Sequence, residues 1–211
     1  MTSGTHALDD LLAHPYLQRL VRGLGERPGR VATPDRPVKY AAVAAVARLG
    51  AQGDPELLLI RRAERERDPW SGHVAFPGGR MEPSDADLAA TAVRETREEI
   101  GIDLVASGRL LGTLDDIAPR TPVLPPILVR PFVSAVAPDV VVRPNPEVAG
   151  HTWVPFDALL ETSNWGTAPI DIRTVGVQDR PVFRYEDFLV WGLTEYMLRQ
   201  FVRLMREEPR P

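Results

Sequence analysis

Residues 73–102 read HVAFPGGRMEPSDADLAATAVRETREEIGI: an apolar run ending in a double glycine, then a helix-forming stretch that concentrates three glutamates. At about 100° per residue, Glu98 lies roughly 60° to one side of Glu95 and Glu99 roughly 40° to the other, so the three carboxylates share about 100° of arc. Ala89, Val93, Thr96 and Ile100 occupy the neighbouring arc and are expected to face a core. Like charges at this spacing cost about 0.2–0.5 kcal/mol per pair, and Glu98 and Glu99 also stand near the helix C-terminus, where the macrodipole disfavours anions. Folding alone does not ask for this pattern. A bound Mg²⁺ or Mn²⁺ removes the penalty, because hard cations take oxygen ligands and Mg²⁺ typically shares one or two carboxylates with substrate phosphates. The plainer alternative is a solvated, Glu-rich helix end closed by Gly101; Arg94 and the glycine turn weigh against it.

Gly78 and Gly79 follow Val74-Ala75-Phe76-Pro77 and precede a helix whose expected start is Ser84 or Asp85, both good capping residues. Two glycines let the backbone turn sharply and present its carbonyls, so the Gly79 carbonyl is a candidate to complete a metal shell with Glu95, Glu98 and Glu99.

Gly79 through Ile102, with Arg94-Glu95-Thr96-Arg97-Glu98-Glu99-Ile100-Gly101-Ile102 as its second half, resembles the Nudix box of the Nudix hydrolase superfamily. In the usual box a Glu stands six residues after the glycine and eight before the arginine; here Asp85 holds that place and the segment before Arg94 is one residue longer. The spacing of Pro83, Asp85, Asp87, Thr91-Ala92 and Arg94-Glu95 resembles the branch that cleaves coenzyme A and its thioesters. Leu58-Leu59-Ile60-Arg61-Arg62-Ala63 upstream and Trp191-Gly192-Leu193-Thr194 near the C-terminus echo the same branch, whereas Asp68-Pro69-Trp70-Ser71-Gly72-His73 is longer than its usual linker. The resemblance implies an α/β/α sandwich with a mixed β-sheet, and metal-assisted attack of water on one phosphorus of a diphosphate. Arg94 is then expected to orient the acids through charge-assisted hydrogen bonds, and Glu98 or Glu147 to act as general base. Glu147, in Asn145-Pro146-Glu147-Val148, matches the place where many Nudix enzymes present an extra glutamate.

The remainder of the chain is consistent with one such domain over 1–211: a helical extension and linker (1–37), a core (38–160) holding the box at 79–102, and a C-terminal strand and helix (161–211). A chain of 211 residues, 44% hydrophobic and 26% charged, suits a sizeable core. With no cysteine there are no disulfides, and a zinc site is disfavoured because His6, His14, His73 and His151 are scattered. A net charge of −4 argues against a basic surface for long nucleic acid. The cations are arginines apart from Lys39. Arg61, Arg62, Arg65 and Arg67 cluster after a strand-like run, and the guanidinium fork suits phosphate oxygens; a solvated loop balanced by Glu64, Glu66 and Asp68 is the competing reading. Ala118 to Pro131 carries five prolines, which rigidify a loop, and with Arg120 it is expected to wall a substrate pocket or simply to cross between strands. An N-terminus with acids where a signal peptide needs positive charge, and no run of roughly 18 apolar residues, leave a cytoplasmic protein with no membrane contact as the expectation. A homodimer is left open.

Apolar patterning places helices near 5–24, restarting at Pro15; strands at 38–49, 57–61 and 74–76; the box helix at 85–100; strands at 109–114, 127–135 and 151–154; a short helix at 156–160; a strand at 180–184; and a last helix at 189–205. Three functions follow: a pyrophosphatase of coenzyme A or a related conjugate; a Nudix enzyme for ADP-ribose, a nucleotide sugar or an oxidised nucleoside triphosphate, favoured by the altered linker; or a non-catalytic regulator, disfavoured because all three box glutamates are present.

Overall fold

Lys39–Leu49 is a run of alanines and valines between Tyr40 and Arg48, and it becomes the central strand of the molecule. The computed structural model describes residues 3–66, 70–119, 126–172 and 175–207. Its strands are β1 (Lys39–Leu49), β2 (Pro55–Arg62), β3 (Val74–Ala75), β4 (Gly78–Arg80), β5 (Gly108–Thr113), β6 (Ile127–Val136), β7 (Val148–Pro155), β8 (Trp165–Ile172), β9 (Gly176–Tyr185) and β10 (Phe188–Trp191). The helices are α1 (Ser3–Ala13), α2 (Pro15–Glu26), α3 (Leu88–Ile100), α4 (Phe156–Leu160) and α5 (Gly192–Met205).

Strand β1 pairs parallel with β6, from Lys39↔Ile127 to Ala47↔Ala135, and antiparallel with β2 and β4. Strands β3 and β7 add to β2, and β5 adds to β6, completing a seven-stranded mixed sheet. Successive side chains of a strand point to opposite faces, and here both faces are covered. Ala42, Ala44 and Val46 join Leu58, Ile60, Ala92 and Ile100 in the core beneath α3. Ala45 and Ala47 join Leu17, Leu20, Leu198 and Phe201 in the core beneath α1, α2 and α5. The layering is the α/β/α sandwich expected.

Local chemistry sets the ends of these elements. Pro15 opens α2 at a position where its missing N–H costs nothing, and the ring of His14 caps it, Nδ1 accepting from Tyr16 N at 3.3 Å. Gly101, left-handed at φ 72°, closes α3. The box helix begins three residues later than the sequence indicates: Asp87, whose carboxylate accepts from Ala90 N at 2.8 Å, is the cap, because Asp85 is engaged elsewhere.

The C-terminal third differs more. In place of one strand and a helix from residue 189, β8, β9 and β10 form a second, antiparallel three-stranded sheet, and α5 starts at Gly192. Trp191 is therefore a strand residue, its ring 4.4 Å from that of His73. Among the described residues no helix is long and apolar enough to cross a membrane.

Candidate active site

The double glycine and the box helix meet at a point fixed by backbone sterics. Gly78 has φ 153°, and a Cβ there would overlap the Ala42 carbonyl oxygen and Val43 Cα. A Cβ on Gly79 would overlap the Glu95 carboxylate. Strand β4 therefore lies flat on β1 and directly under α3 only because neither residue has a side chain. Gly78→Ala should destabilise the protein by about 2–4 kcal/mol through combined strain and overpacking, readable as a lowered urea midpoint with an unchanged m-value.

The acids divide by environment. Glu99 is 2% exposed; its carboxylate accepts from Gly78 N at 2.8 Å and lies 3.6 Å from Arg62 Nη1. The buried arc of α3, Leu88, Thr91, Ala92, Thr96, Glu99 and Ile100, is turned roughly 70–80° toward the acids from the arc the sequence indicates. Glu99 consequently sits inside the core face. Glu95 is mostly buried beside Gly79, its side chain 16% exposed, and Glu98 stands open to solvent with its side chain 52% exposed. Both accept from Arg94 Nη1, at 3.0 and 3.1 Å.

Arg94 is the hub. Its Nε and Nη2 donate to the two oxygens of Asp85, both at 2.9 Å, and Nη2 also donates to the Arg80 carbonyl at 3.0 Å. Asp85, its side chain 4% exposed, further accepts from Thr91 Oγ1 and Glu82 N, each at 2.9 Å. The guanidinium holds the Asp85 carboxyl well below the usual carboxylate range, and Asp85 in turn raises the Arg94 pKa. One side chain thus ties the loop before the helix, the glycine strand and two of the three glutamates together. The sequence marked Asp85 as standing where the box carries Glu; its pairing with Arg94 and Thr91 was legible only as a spacing of nine and six residues.

Glu147 immediately precedes β7, and its charge adds a small upward push to the Glu95 and Glu99 carboxyls, which burial raises first. The loop carrying it is bonded to the end of α3 through Asn145 N to the Glu99 carbonyl at 2.8 Å, while Asn145 Oδ1 accepts from Glu147 N at 2.8 Å. The fold therefore brings residue 147 to residues 95–99.

The arginines separate. Arg62 faces Glu99, but Arg61 projects to the opposite face of the sheet, where it pairs with Asp187 at 2.7 Å and stacks on Phe188 at 4.5 Å. Arg67 and Arg120 lie outside the described residues.

Burial pushes the Glu99 carboxyl up to about 7, and burial likewise raises Glu95; the neighbouring glutamates add to both. These are oxygen donors whose ionised form is penalised by burial more than the adjacent arginines compensate, and a hard dication relieves such an environment. Among the described residues no three His, Asp or Glu side chains converge closely enough to chelate an ion, and arginines lie against the carboxylates instead. The donor chemistry fits Mg²⁺ or Mn²⁺. A carboxyl whose folded pKa exceeds its unfolded value of about 4.5 contributes stability that is present below the unfolded value and lost as pH rises through the folded one. Chelated protein should therefore lose on the order of 3 kcal/mol between about pH 4.5 and 7 from this group. Glu99→Gln should flatten that slope in melts recorded with a chelator; an equally steep slope in the variant would assign it to another group.

The NUDIX domain family model matches residues 39–172. The chain is 35% identical over 151 residues to the uncharacterized Nudix hydrolase NudL of Photorhabdus laumondii, covering 71% of this chain and 76% of that protein. It is 34% identical over 152 residues to NudL of Yersinia enterocolitica, covering 71% and 74%. A NUDIX hydrolase structure from Alicyclobacillus acidocaldarius aligns with a TM-score of 0.53 at 22% identity, covering 80% of this chain and 93% of that one. The MutT protein of Methanosarcina mazei aligns at 0.51 and 22%, covering 83% and 98%; both are likenesses of fold. The chain belongs to the Nudix hydrolase family, whose members act on pyrophosphate bonds of nucleoside diphosphate derivatives.

Proposed function

We propose that this Nudix hydrolase cleaves the diphosphate of coenzyme A or a closely related nucleoside diphosphate derivative in the presence of Mg²⁺ or Mn²⁺. The observation that supports the substrate is the segment from Gly79 to Arg94, one residue longer than the usual box and bridged by a shorter acid, Asp85, whose two oxygens meet the Arg94 fork. Glu95, Glu98, Glu99 and the Gly79 carbonyl are the groups that would hold the ion. When bound, it supplies neutralisation of diphosphate charge and a water of lowered pKa. Arg94 fixes the orientation of Glu95 and Glu98. Glu98 and Glu147 are the carboxylates open to solvent, and one of them takes the proton from the attacking water. Arg62, with Arg67 and Arg120, is assigned to substrate phosphates. The acidic net charge points to small-molecule substrates rather than long nucleic acid; a cytoplasmic location and a homodimer are part of the same reading.

A panel of coenzyme A, acyl-coenzyme A, ADP-ribose, nucleotide sugars and oxidised nucleoside triphosphates, with Mg²⁺ or Mn²⁺ and product masses recorded, tests this. The expected products are 4′-phosphopantetheine and 3′,5′-ADP, and activity should stop with excess chelator. A kcat/KM for ADP-ribose well above that for coenzyme A replaces the substrate; full activity in chelator removes the metal; no turnover of any member leaves a binding regulator.

A further inference from the structure

Each of the four carboxylates assigned to the site is matched to an arginine. Arg94 holds Glu95 and Glu98, Arg62 faces Glu99, and Arg65 Nη2 lies 3.1 Å from Glu147 Oε1. The Arg65 pair differs from the others in how it is built. Its two backbones are pinned: Ala63 N donates to the Glu147 carbonyl at 2.8 Å, Arg65 N donates to Ser71 Oγ at 2.9 Å, and the Glu147 loop is bonded to the end of α3. Its two side chains are half-exposed, 50% and 43%. An exposed ion pair of this kind contributes little to stability, so it is exchanged at little cost while both partners stay beside the glutamates of α3.

Resting on the functional reading above, we propose that Arg65 is a counter-ion held in reserve: Glu147 keeps it at the mouth of the site, and uptake of the divalent cation releases it to the diphosphate of the substrate. A cation near Glu147 and a guanidinium on Glu147 compete for the same charge, because both neutralise one carboxylate. The released fork is then carried by a fixed backbone at the rim, where a diphosphate offers the oxygens that suit it. The guanidinium stays paired in both states: on the carboxylate without metal, and on a phosphate oxygen once the dication neutralises that carboxylate.

The test uses the full chain and two ligands of known chemistry. Calorimetric titration with Mn²⁺ alone should give a Kd about two- to fivefold lower for Arg65→Gln than for wild type, the range an exposed pair allows. Arg65→Lys, which keeps the charge, should lie nearer wild type. With Mn²⁺ saturating, the non-hydrolysable α,β-methylene-ADP should bind Arg65→Gln about tenfold more weakly, with partial recovery in Arg65→Lys. An unchanged or higher Kd for Mn²⁺ in Arg65→Gln overturns the competition, and unchanged affinity for α,β-methylene-ADP overturns the transfer to phosphate. Wild-type protein that binds no Mn²⁺ overturns the metal site itself, and the role of Arg65 with it. Neither arm needs turnover, so both outcomes stand even where coenzyme A is the wrong substrate. Thermal melts should show both variants folded within about 2 °C of wild type; a large drop would make Arg65 a structural residue.

Discussion

Glu98→Gln should lower the rate of diphosphate hydrolysis by at least about 10²–10⁴-fold while leaving the metal-free protein as stable as wild type to within about 0.5 kcal/mol. The two halves of this expectation have separate causes. Glu98 is exposed on the last turn of α3, and its hydrogen bond comes from Arg94 Nη1. Removing its charge relieves repulsion that raises the Glu95 carboxyl and weakens an i,i+4 pair with Arg94; each is worth a few tenths of a kcal/mol and they oppose one another. In catalysis the same charge is either a metal ligand or the base, a role worth about 10²–10⁴ in rate. The stabilisation conferred by saturating Mg²⁺ should shrink in parallel, since a ligand that binds only the native state adds RT ln(1 + [L]/Kd). Melts with and without metal, beside initial rates, check both halves. A variant markedly less stable without metal would show that Glu98 makes a needed internal contact.

Asp85→Ala should do the reverse, damaging the fold first and the chemistry as a consequence. Asp85 is buried and accepts four hydrogen bonds, two of them from the Arg94 fork. Removing one partner of a buried ion pair costs about 3–5 kcal/mol; Arg94 retains Glu95, Glu98 and the Arg80 carbonyl, so about 2–4 kcal/mol is expected here. Because the Asp85 carboxyl is held well below its ordinary value, its contribution is fully present above about pH 4 and lost only in strong acid. That is opposite in sign to the Glu99 effect, and pH-resolved denaturation separates them. Arg94→Lys isolates geometry from charge: a point ammonium does not reach Asp85, Glu95, Glu98 and the Arg80 carbonyl together. It should lose most of the stability that Asp85→Ala loses, and Mn²⁺ affinity as well. If Arg94→Lys is as stable as wild type, the bidentate lock is not what sets the loop.

The box from Gly79 to Ile102 was legible because its chemistry is local. A helix face is fixed by 100° steps, so Glu95, Glu98 and Glu99 were neighbours whatever the tertiary structure, and Gly101 and Pro15 marked helix limits by their own backbone preferences. Strands β1, β2 and β6 were legible as short apolar runs, and they are buried along most of their length. Short-range signals failed where pairing is long-range. Local patterning does not mark Trp165–Ile172 as a strand, and Leu189-Val190-Trp191 carries helical spacing that pairing with β9 overrides.

Local sequence specifies the Nudix fold class, the existence of a box helix with a concentrated acidic face, and the arrest of that helix at Gly101. Long-range packing settles which carboxylate is buried and which is open. The core presses on α3 from the β1 side and rotates Glu99 inward, and Arg94 bridges residues 80 to 98 through contacts that no periodicity encodes. Packing also settles the company each arginine keeps: Arg61 and Arg62 are adjacent in sequence, yet strand geometry sends one to Asp187 and the other to Glu99 on opposite faces of the sheet. Glu147, nearly fifty residues from the box helix, reaches the site because Asn145 is hydrogen-bonded to the carbonyl of Glu99 itself.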